Sequence, residues 1–365
     1  MPSTSPDSPA ASAADTRPLV WVLTGAKAGD NAQIGALAEA TGLRVKTIPL
    51  AFNWRYRVPN VFLGATLGTL TPPARQRLAP PWPDLVISAG RRSVPAARWI
   101  GARCGARLVH VGRPWGLLRW FDLVIAMPQY RVSPRANVLQ ARMPFNSAPA
   151  ARLDRARAQW REAFAAWPRP YLAVLLGGSM RPLSLDAGTA ASIARWASDW
   201  ARTRGGSVLA LTSPRTDAEA ADAFFAALEA PGLRHRWRAG EQDNPYLGVL
   251  ALADEFVVTG DSASMLAEAV RRGKPVHIAR LPLRLRGKRW RAALAQRLLP
   301  EPAFRKLAEW SLVTPNRDLQ LLHERLIGEG LAVYLGDPAP PPRPFQEDME
   351  QAVARIRALL PPARR

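Results

Sequence analysis

The sequence predicts an α/β protein of two doubly wound, Rossmann-like domains facing each other across a cleft, and three observations carry that expectation. At 365 residues with 48% hydrophobic side chains, the chain exceeds what one hydrophobic core usually serves and can fill two. Short continuous apolar runs that end in glycine alternate with helix-compatible segments, the pattern of a parallel sheet covered on both faces. The alternation runs twice, separated by a proline-bounded, arginine-rich stretch.

In the first series, residues 20–24 (VWVLT) form a β-prone run ending in Gly25, and residues 31–40 space Ile34, Leu37 and Ala38 as on a helix. Residues 84–88 (DLVIS) lead through Gly90 into a helix at 93–100. Residues 107–111 and 121–126 are further strands. The second series has strands at 171–176, 207–212 and 255–259, with 276–278 as its last clear strand. Helices are expected at 187–203, 217–230, after Asn244-Pro245-Tyr246, and at 261–271, where Gly273 is the stop signal. The expected organisation is a disordered tail at 1–17, a first domain at 18–150, a connection at 151–170, a second domain at 171–337, and a proline-rich turn with a final helix at 338–365. That helix, at 346–360, carries Met349, Val353, Ile356 and Leu360 on one stripe and needs a surface to cover.

Composition narrows the chemistry. The one cysteine, Cys104, rules out an internal disulfide, and the four histidines (His110, His235, His277, His323) are scattered, so neither a metal site nor a redox centre is expected. Fifty Lys and Arg against 29 Asp and Glu give a net charge of +21, almost all of it arginine. Such a surplus suits phosphate-bearing partners: a nucleotide, anionic lipid headgroups or, least of the three for want of any recognition motif, nucleic acid. The first 17 residues lack the basic start and apolar stretch of a secretory signal, and no apolar run approaches the roughly 18 to 20 residues of a membrane span. The expected location is the cytoplasm, with peripheral attachment at the inner face of a membrane left open. Residues 281–297 are a candidate for that surface or for one that meets an acidic acceptor: Arg284, Arg286, Lys288, Arg289, Arg291 and Arg297 accompany Trp290 and Leu294 with no acidic residue between them. A solvated basic helix explains them equally well.

Ligands of open parallel sheets bind beyond the carboxyl ends of the strands. Four glycine-bearing loops fall there, at 25–30, 90–93, 177–181 and 260–264, where glycine lets backbone approach a phosphate and the next helix offers its positive end. An ordinary turn explains any one of them; four together point to a phosphate-bearing ligand. Glu268 lies seven residues beyond Asp261. It is either a ribose-binding carboxylate or a solvated helix glutamate.

Several blocks also carry a family resemblance: Gly29-Asp30-Asn31-Ala32-Gln33, Ser88-Ala89-Gly90-Arg91-Arg92-Ser93, Gly112-Arg113-Pro114, Pro128-Gln129-Tyr130, Asn244-Pro245-Tyr246 and Thr259-Gly260-Asp261-Ser262. In these the chain resembles the family named for a plant mitochondrial fission factor, whose bacterial members are described as candidate nucleotide-sugar glycosyltransferases. Residues 259–275 are similar to the nucleotide-binding helix of the lipid-linked N-acetylglucosaminyltransferases that build peptidoglycan precursors, enzymes of the B-type glycosyltransferase fold. That likeness gives Glu268 the ribose and Gly177, Gly178 and Ser179 a phosphate-facing loop; with Arg181, Gly260, Asp261, Ser262 and Ser264 of the strand-end loops they make up the expected donor site. The chain departs from those enzymes in having Asp261-Ser262 where they place small residues and glycine. On the facing side the expected acceptor residues are Lys27, Asn31, Gln33, Gly90, Arg91 and Ser93, with Asp30 as the base that deprotonates an acceptor hydroxyl or, alternatively, as a helix cap. No Asp-x-Asp metal motif occurs, and no cofactor is expected beyond the nucleotide sugar, which is a substrate. The expected acceptor is a polysaccharide or a lipid-linked, cell-envelope glycan. The competing expectations are a non-catalytic scaffold that keeps the fold and a sugar-nucleotide epimerase or hydrolase.

Overall fold

The computed structural model describes residues 17–145, 148–179, 183–283, 298, 300, 318–345 and 348–361. They form two six-stranded sheets, parallel throughout. The first comprises β1 (Leu19–Thr24), β2 (Arg44–Pro49), β3 (Leu85–Ala89), β4 (Arg107–Val111), β5 (Leu123–Ala126) and β6 (Val138–Gln140), in the order β2-β1-β3-β4-β5-β6. The second comprises β7 (Tyr171–Leu175), β8 (Ser207–Leu211), β9 (Gly232–His235), β10 (Glu255–Thr259), β11 (Val276–Ala279) and β12 (Val333–Tyr334), in the order β12-β11-β10-β7-β8-β9.

Strands β1 and β7, near the middle of their sheets, are almost continuously apolar because both of their faces are buried. Along β1, Trp21 and Leu23 enter one core while Val20 and Val22 enter the core on the opposite face. Along β7, Tyr171, Ala173 and Leu175 alternate in the same way with Leu172 and Val174. The strands that the sequence did not announce lie toward the sheet edges. In β2, Arg44, Lys46 and half-exposed Val45 interrupt the apolar pattern, and β12 is two residues long. The strand at 276–278 is therefore not the last of its sheet; β12 pairs beyond it.

Helices cover both sheets. The first, α1 (Ala28–Ala40), starts three residues before the expected position. It is followed by α2 (Asn60–Leu63), α3 (Pro72–Gln76) and α4 (Val94–Cys104). The arginine-rich segment after the first sheet forms α5 (Ala150–Phe164), which belongs to the second core through Leu153 and Phe164. Next come α6 (Ala187–Arg204), α7 (Ala218–Ala227) and α8 (Tyr246–Leu252). Gly248 of α8 lets α5 approach, since a Cβ there would lie 2.4 Å from Trp160. The next, α9 (Ala263–Val270), starts two residues later than predicted and is followed, after residues outside the description, by α10 (Leu319–Gly328). The last, α11 (Met349–Arg357), returns to the first sheet: Ala352 and Ile356 enter its core, Arg357 donates to the Thr41 carbonyl at 2.9 Å, and Asp348 pairs with Arg142 at 2.9 Å.

Strand order fixes where a ligand site falls. The chain reverses its direction of travel across the first sheet between β1 and β3, and across the second between β7 and β10. At such switch points the flanking loops leave in opposite directions and open a crevice at the carboxyl ends of the strands.

Candidate functional site

The first crevice is bounded by the loops after β1 and β3. Asn31 ties the β1 loop together, accepting from the Gly25 N–H at 2.8 Å and donating to the Gly25 carbonyl at 2.7 Å. Asp30 lies inside the first turn of α1, whose N-cap position is Lys27, so the cap role for Asp30 does not hold. Its carboxylate instead faces the β3 loop. A Cβ on Gly90 would lie 3.3 Å from Asp30 Oδ2, and Gly90 adopts φ +74°, a conformation that favours glycine. Lys27 Nζ stands 3.9 Å from the same oxygen. Gln33 is buried, donates to the Gly29 carbonyl at 3.3 Å, and its buried Oε1 has no hydrogen-bond partner among the described residues. Ser93 turns its hydroxyl back to the Ala89 and Gly90 carbonyls at 2.9 and 3.0 Å. Arg91 donates to the carbonyls of Arg57 and Val58 at 2.8 and 2.9 Å, and burial lowers its pKa. Sequence reasoning missed Asn60, a buried amide that donates to the Arg91 and Pro114 carbonyls at 3.0 and 3.1 Å and so fixes two strand-end loops to each other.

In the second crevice the loops after β7, β8 and β10 converge on one carboxylate. Asp261 is fully buried; its oxygens accept from the Gly178 N–H at 3.0 Å and the Thr259 hydroxyl at 2.7 Å and pair with Arg215 at 3.0 Å. Burial raises its pKa, opposed chiefly by Arg215. The Gly177 N–H donates to the Thr259 hydroxyl at 2.7 Å. Both glycines are required sterically: a Cβ would lie 2.3 Å from Asp261 Oδ1 at Gly177 and 1.7 Å from the Arg215 carbonyl at Gly178. The two N–H groups expected to face a phosphate are thus occupied inside the protein, and Asp261 is not the helix residue it was expected to be. Ser262 caps α9, accepting from the Met265 N–H at 3.5 Å. Ser179 donates to Asp217 at 2.9 Å. The Gly260 carbonyl accepts from His323 Nε2 at 2.9 Å, which places the proton on that nitrogen, and burial lowers the His323 pKa. Arg181, and residues 284–297 of the expected basic surface, lie outside the described residues.

Glu268 stands apart from these loops. Six residues past Ser262, it is about 9 Å further along the helix and turned to another face. There it accepts a short hydrogen bond from the Tyr246 hydroxyl and is bordered by Ala148, Leu153, Leu250 and Arg272. Burial raises the pKa of both members of the pair.

The two crevices meet. A Cβ on Gly29 would lie 3.5 Å from Ser264 Oγ, so the first turns of α1 and α9 oppose each other at van der Waals distance. A second bridge runs from Asp318, before α10, whose N–H donates to the Gln129 carbonyl at 3.0 Å and whose carboxylate takes Arg131 Nε at 3.2 Å. Among the described residues no helix is long and apolar enough to cross a membrane.

Comparison with known proteins agrees with this architecture. Among solved structures, the UDP-GlcNAc 2-epimerase of Methanocaldococcus jannaschii superposes with a TM-score of 0.52 at 12% identity, covering 93% of this chain and 99% of that one. The shared fold is the two-sheet, GT-B-like α/β arrangement. Mitochondrial fission protein ELM1 of Arabidopsis thaliana is 28% identical over 229 residues, 56% of this chain and 53% of that protein. The chain thus spans about half the length of this curated relative. Residues 28–320, which include Asp30, Gly90, Gly177 and Asp261, match the family described as Mitochondrial fission ELM1, and the chain belongs to that family.

Proposed function

We propose that the chain is a metal-independent glycosyltransferase. It takes a sugar from a nucleoside-diphosphate donor seated over the β7/β10 crevice and passes it to a hydroxyl of a cell-envelope or lipid-linked acceptor held at the β1/β3 crevice. The observation that carries this reading is the meeting of two switch-point crevices at Gly29 and Ser264, which gives one site two independent walls. Negative charge grows on the departing diphosphate, and the N-terminal turn of α9 with the Ser264 hydroxyl is suited to meet it. Asp30 is the acceptor base. Its carboxylate sits at the mouth of the β1 loop, 19% exposed. Glu268 reaches ribose hydroxyls by exchanging its bond from Tyr246. The exposed Trp54 and Phe62, beside Arg55 and Arg57, suit an anionic lipid surface and favour a lipid-linked acceptor with attachment at the inner face of a membrane.

A second reading, a binding or scaffold protein that keeps the fold without turnover, is favoured by one observation: Asp261 fills the glycine turn where a catalytic diphosphate would be expected. Thermal shift with nucleoside diphosphates and nucleotide sugars, UDP-GlcNAc first, tests for a donor; a ligand at a hundredfold its Kd stabilises by about 2.7 kcal/mol. Release of nucleoside diphosphate from the bound sugar then separates the readings. Transfer that Asp30→Asn abolishes while donor binding persists supports the enzyme. Binding with no release in the presence of membrane glycolipids supports the scaffold, and no binding to any nucleotide sinks the donor site.

A further inference from the structure

One cation in the second crevice is left unexplained by the sequence motifs. Arg215 belongs to the turn after β8 (Ser213-Pro214-Arg215-Thr216), which has no glycine. Its backbone is held tightly. Ser213 Oγ donates to the Gly177 carbonyl at 2.9 Å, Thr216 Oγ1 to the Leu176 carbonyl at 3.0 Å, and the Arg215 carbonyl is the atom that excludes a side chain at Gly178. The guanidinium therefore starts from a fixed root beside the β7/β10 switch point. Its side chain is 39% exposed, and among the described residues its one partner is the Asp261 carboxylate, 3.0 Å away. A guanidinium has five N–H donors in a planar fork, and one of its amino groups is turned to Asp261. The remaining donors have the geometry that grips a phosphate by two oxygens. Asp261, for its part, is an anion already seated on a backbone N–H, a hydroxyl and a guanidinium, the set of donors that a phosphate would use.

We infer that Arg215 is a diphosphate-binding residue of this site and that Asp261 is its resident counter-anion, which shares the guanidinium with the diphosphate when a donor binds. The inference rests on the nucleotide-sugar reading. It implies that Asp261 holds donor affinity down, because its carboxylate neutralises Arg215 and repels the incoming phosphates. Arg215 in turn recognises the phosphates and not the nucleoside.

Calorimetric titration of the full chain with UDP, ADP, GDP, inorganic pyrophosphate and uridine tests this on the wild type, Arg215→Ala, Arg215→Gln and Asp261→Asn. Loss of the guanidinium should weaken UDP and pyrophosphate at least tenfold. Asp261→Asn, which breaks the same ion pair but keeps an oxygen for the Gly178 N–H, should tighten both several-fold, and neither change should alter binding of uridine. Gln keeps much of the side-chain bulk of Arg215 without its charge, so it repeats the test if Ala lowers the melting temperature. Equal weakening by the Arg215 and Asp261 variants would show that the pair only fastens the turn and would overturn the inference. So would binding of UDP and pyrophosphate that neither Arg215 variant changes, a result that leaves the nucleotide-sugar reading standing. No binding of any phosphate compound to the wild type overturns both.

Discussion

The Tyr246–Glu268 pair offers a quantitative test of the packing behind the second crevice, because its two members come from different helices and meet in a largely buried place. Replacing Tyr246 by Phe removes the hydroxyl and leaves a buried carboxylate short of a donor. A hydrogen bond to a charged group is worth about 1.5 to 3 kcal/mol, against about 0.5 to 1.5 for a neutral pair. At neutral pH Tyr246→Phe should therefore lower the melting temperature by about 3 to 12 °C, taking about 2 to 4 °C per kcal/mol for a unit of 150 to 250 residues. In a Glu268→Gln background the acceptor is a neutral amide oxygen, and the same change should cost about half as much. The four proteins form a double-mutant cycle read by thermal melts at one pH. The pH course has a definite sign. Burial raises the Glu268 carboxyl above its ordinary 4.5, so the folded state holds that proton more tightly than the unfolded one. The stability it contributes is full below pH 4.5 and is lost as pH rises through the folded value; Glu268→Gln should remove that decline. Equal costs of Tyr246→Phe in both backgrounds would refute the claim that the hydroxyl serves an ionised carboxylate.

Three further outcomes follow from the packing. His110 is buried against Phe121, with Ser88 Oγ 3.0 Å from its Nδ1, and burial pushes its pKa down to about 3. Its contribution is full above pH 6.5 and is lost as pH falls from there toward 3, on the order of 4 to 5 kcal/mol in all, so urea midpoints of His110→Asn should fall less steeply with acid than those of the wild type; parallel slopes would count against it. Gly178→Ala puts a methyl group 1.7 Å from a carbonyl and should cost at least about 1 to 3 kcal/mol, whereas Gly35→Ala, inside α1 with nothing within 4 Å, should gain about 0.5 to 1; urea unfolding that shows no difference between them would contradict the close approach of the β7 and β8 loops. Ile356→Ala on α11 should cost about 2 to 5 kcal/mol, and a loss below 1 would show that this helix does not seal the first core.

The sequence revealed what repeats and what is apolar on both faces. Residues 84–88 and 255–259 read as strands because β3 and β10 are buried along almost their whole length. Strands β2, β9 and β12 carry solvent on part of their surface, and Arg44, Lys46 and Arg234 break the pattern that marks a strand. The glycines of the four loops were visible as turn signals, and topology places those loops at the two switch points. Asp261 was misplaced because its role depends on Gly178, 83 residues earlier, and on Arg215, which no glycine signals. The environment of Glu268 depends on Tyr246, 22 residues before it on another helix, a contact that helical spacing within α9 does not encode.

In the proposed transfer a donor over the β7/β10 crevice and an acceptor at the β1/β3 crevice share one site, and hydrogen–deuterium exchange with and without a bound nucleotide sugar and an acceptor glycolipid tests this arrangement most directly. Exchange should slow in residues 25–33 and 90–93 of the first crevice together with 177–179 and 260–268 of the second. Protection confined to one sheet, or found only away from these strand ends, would contradict it.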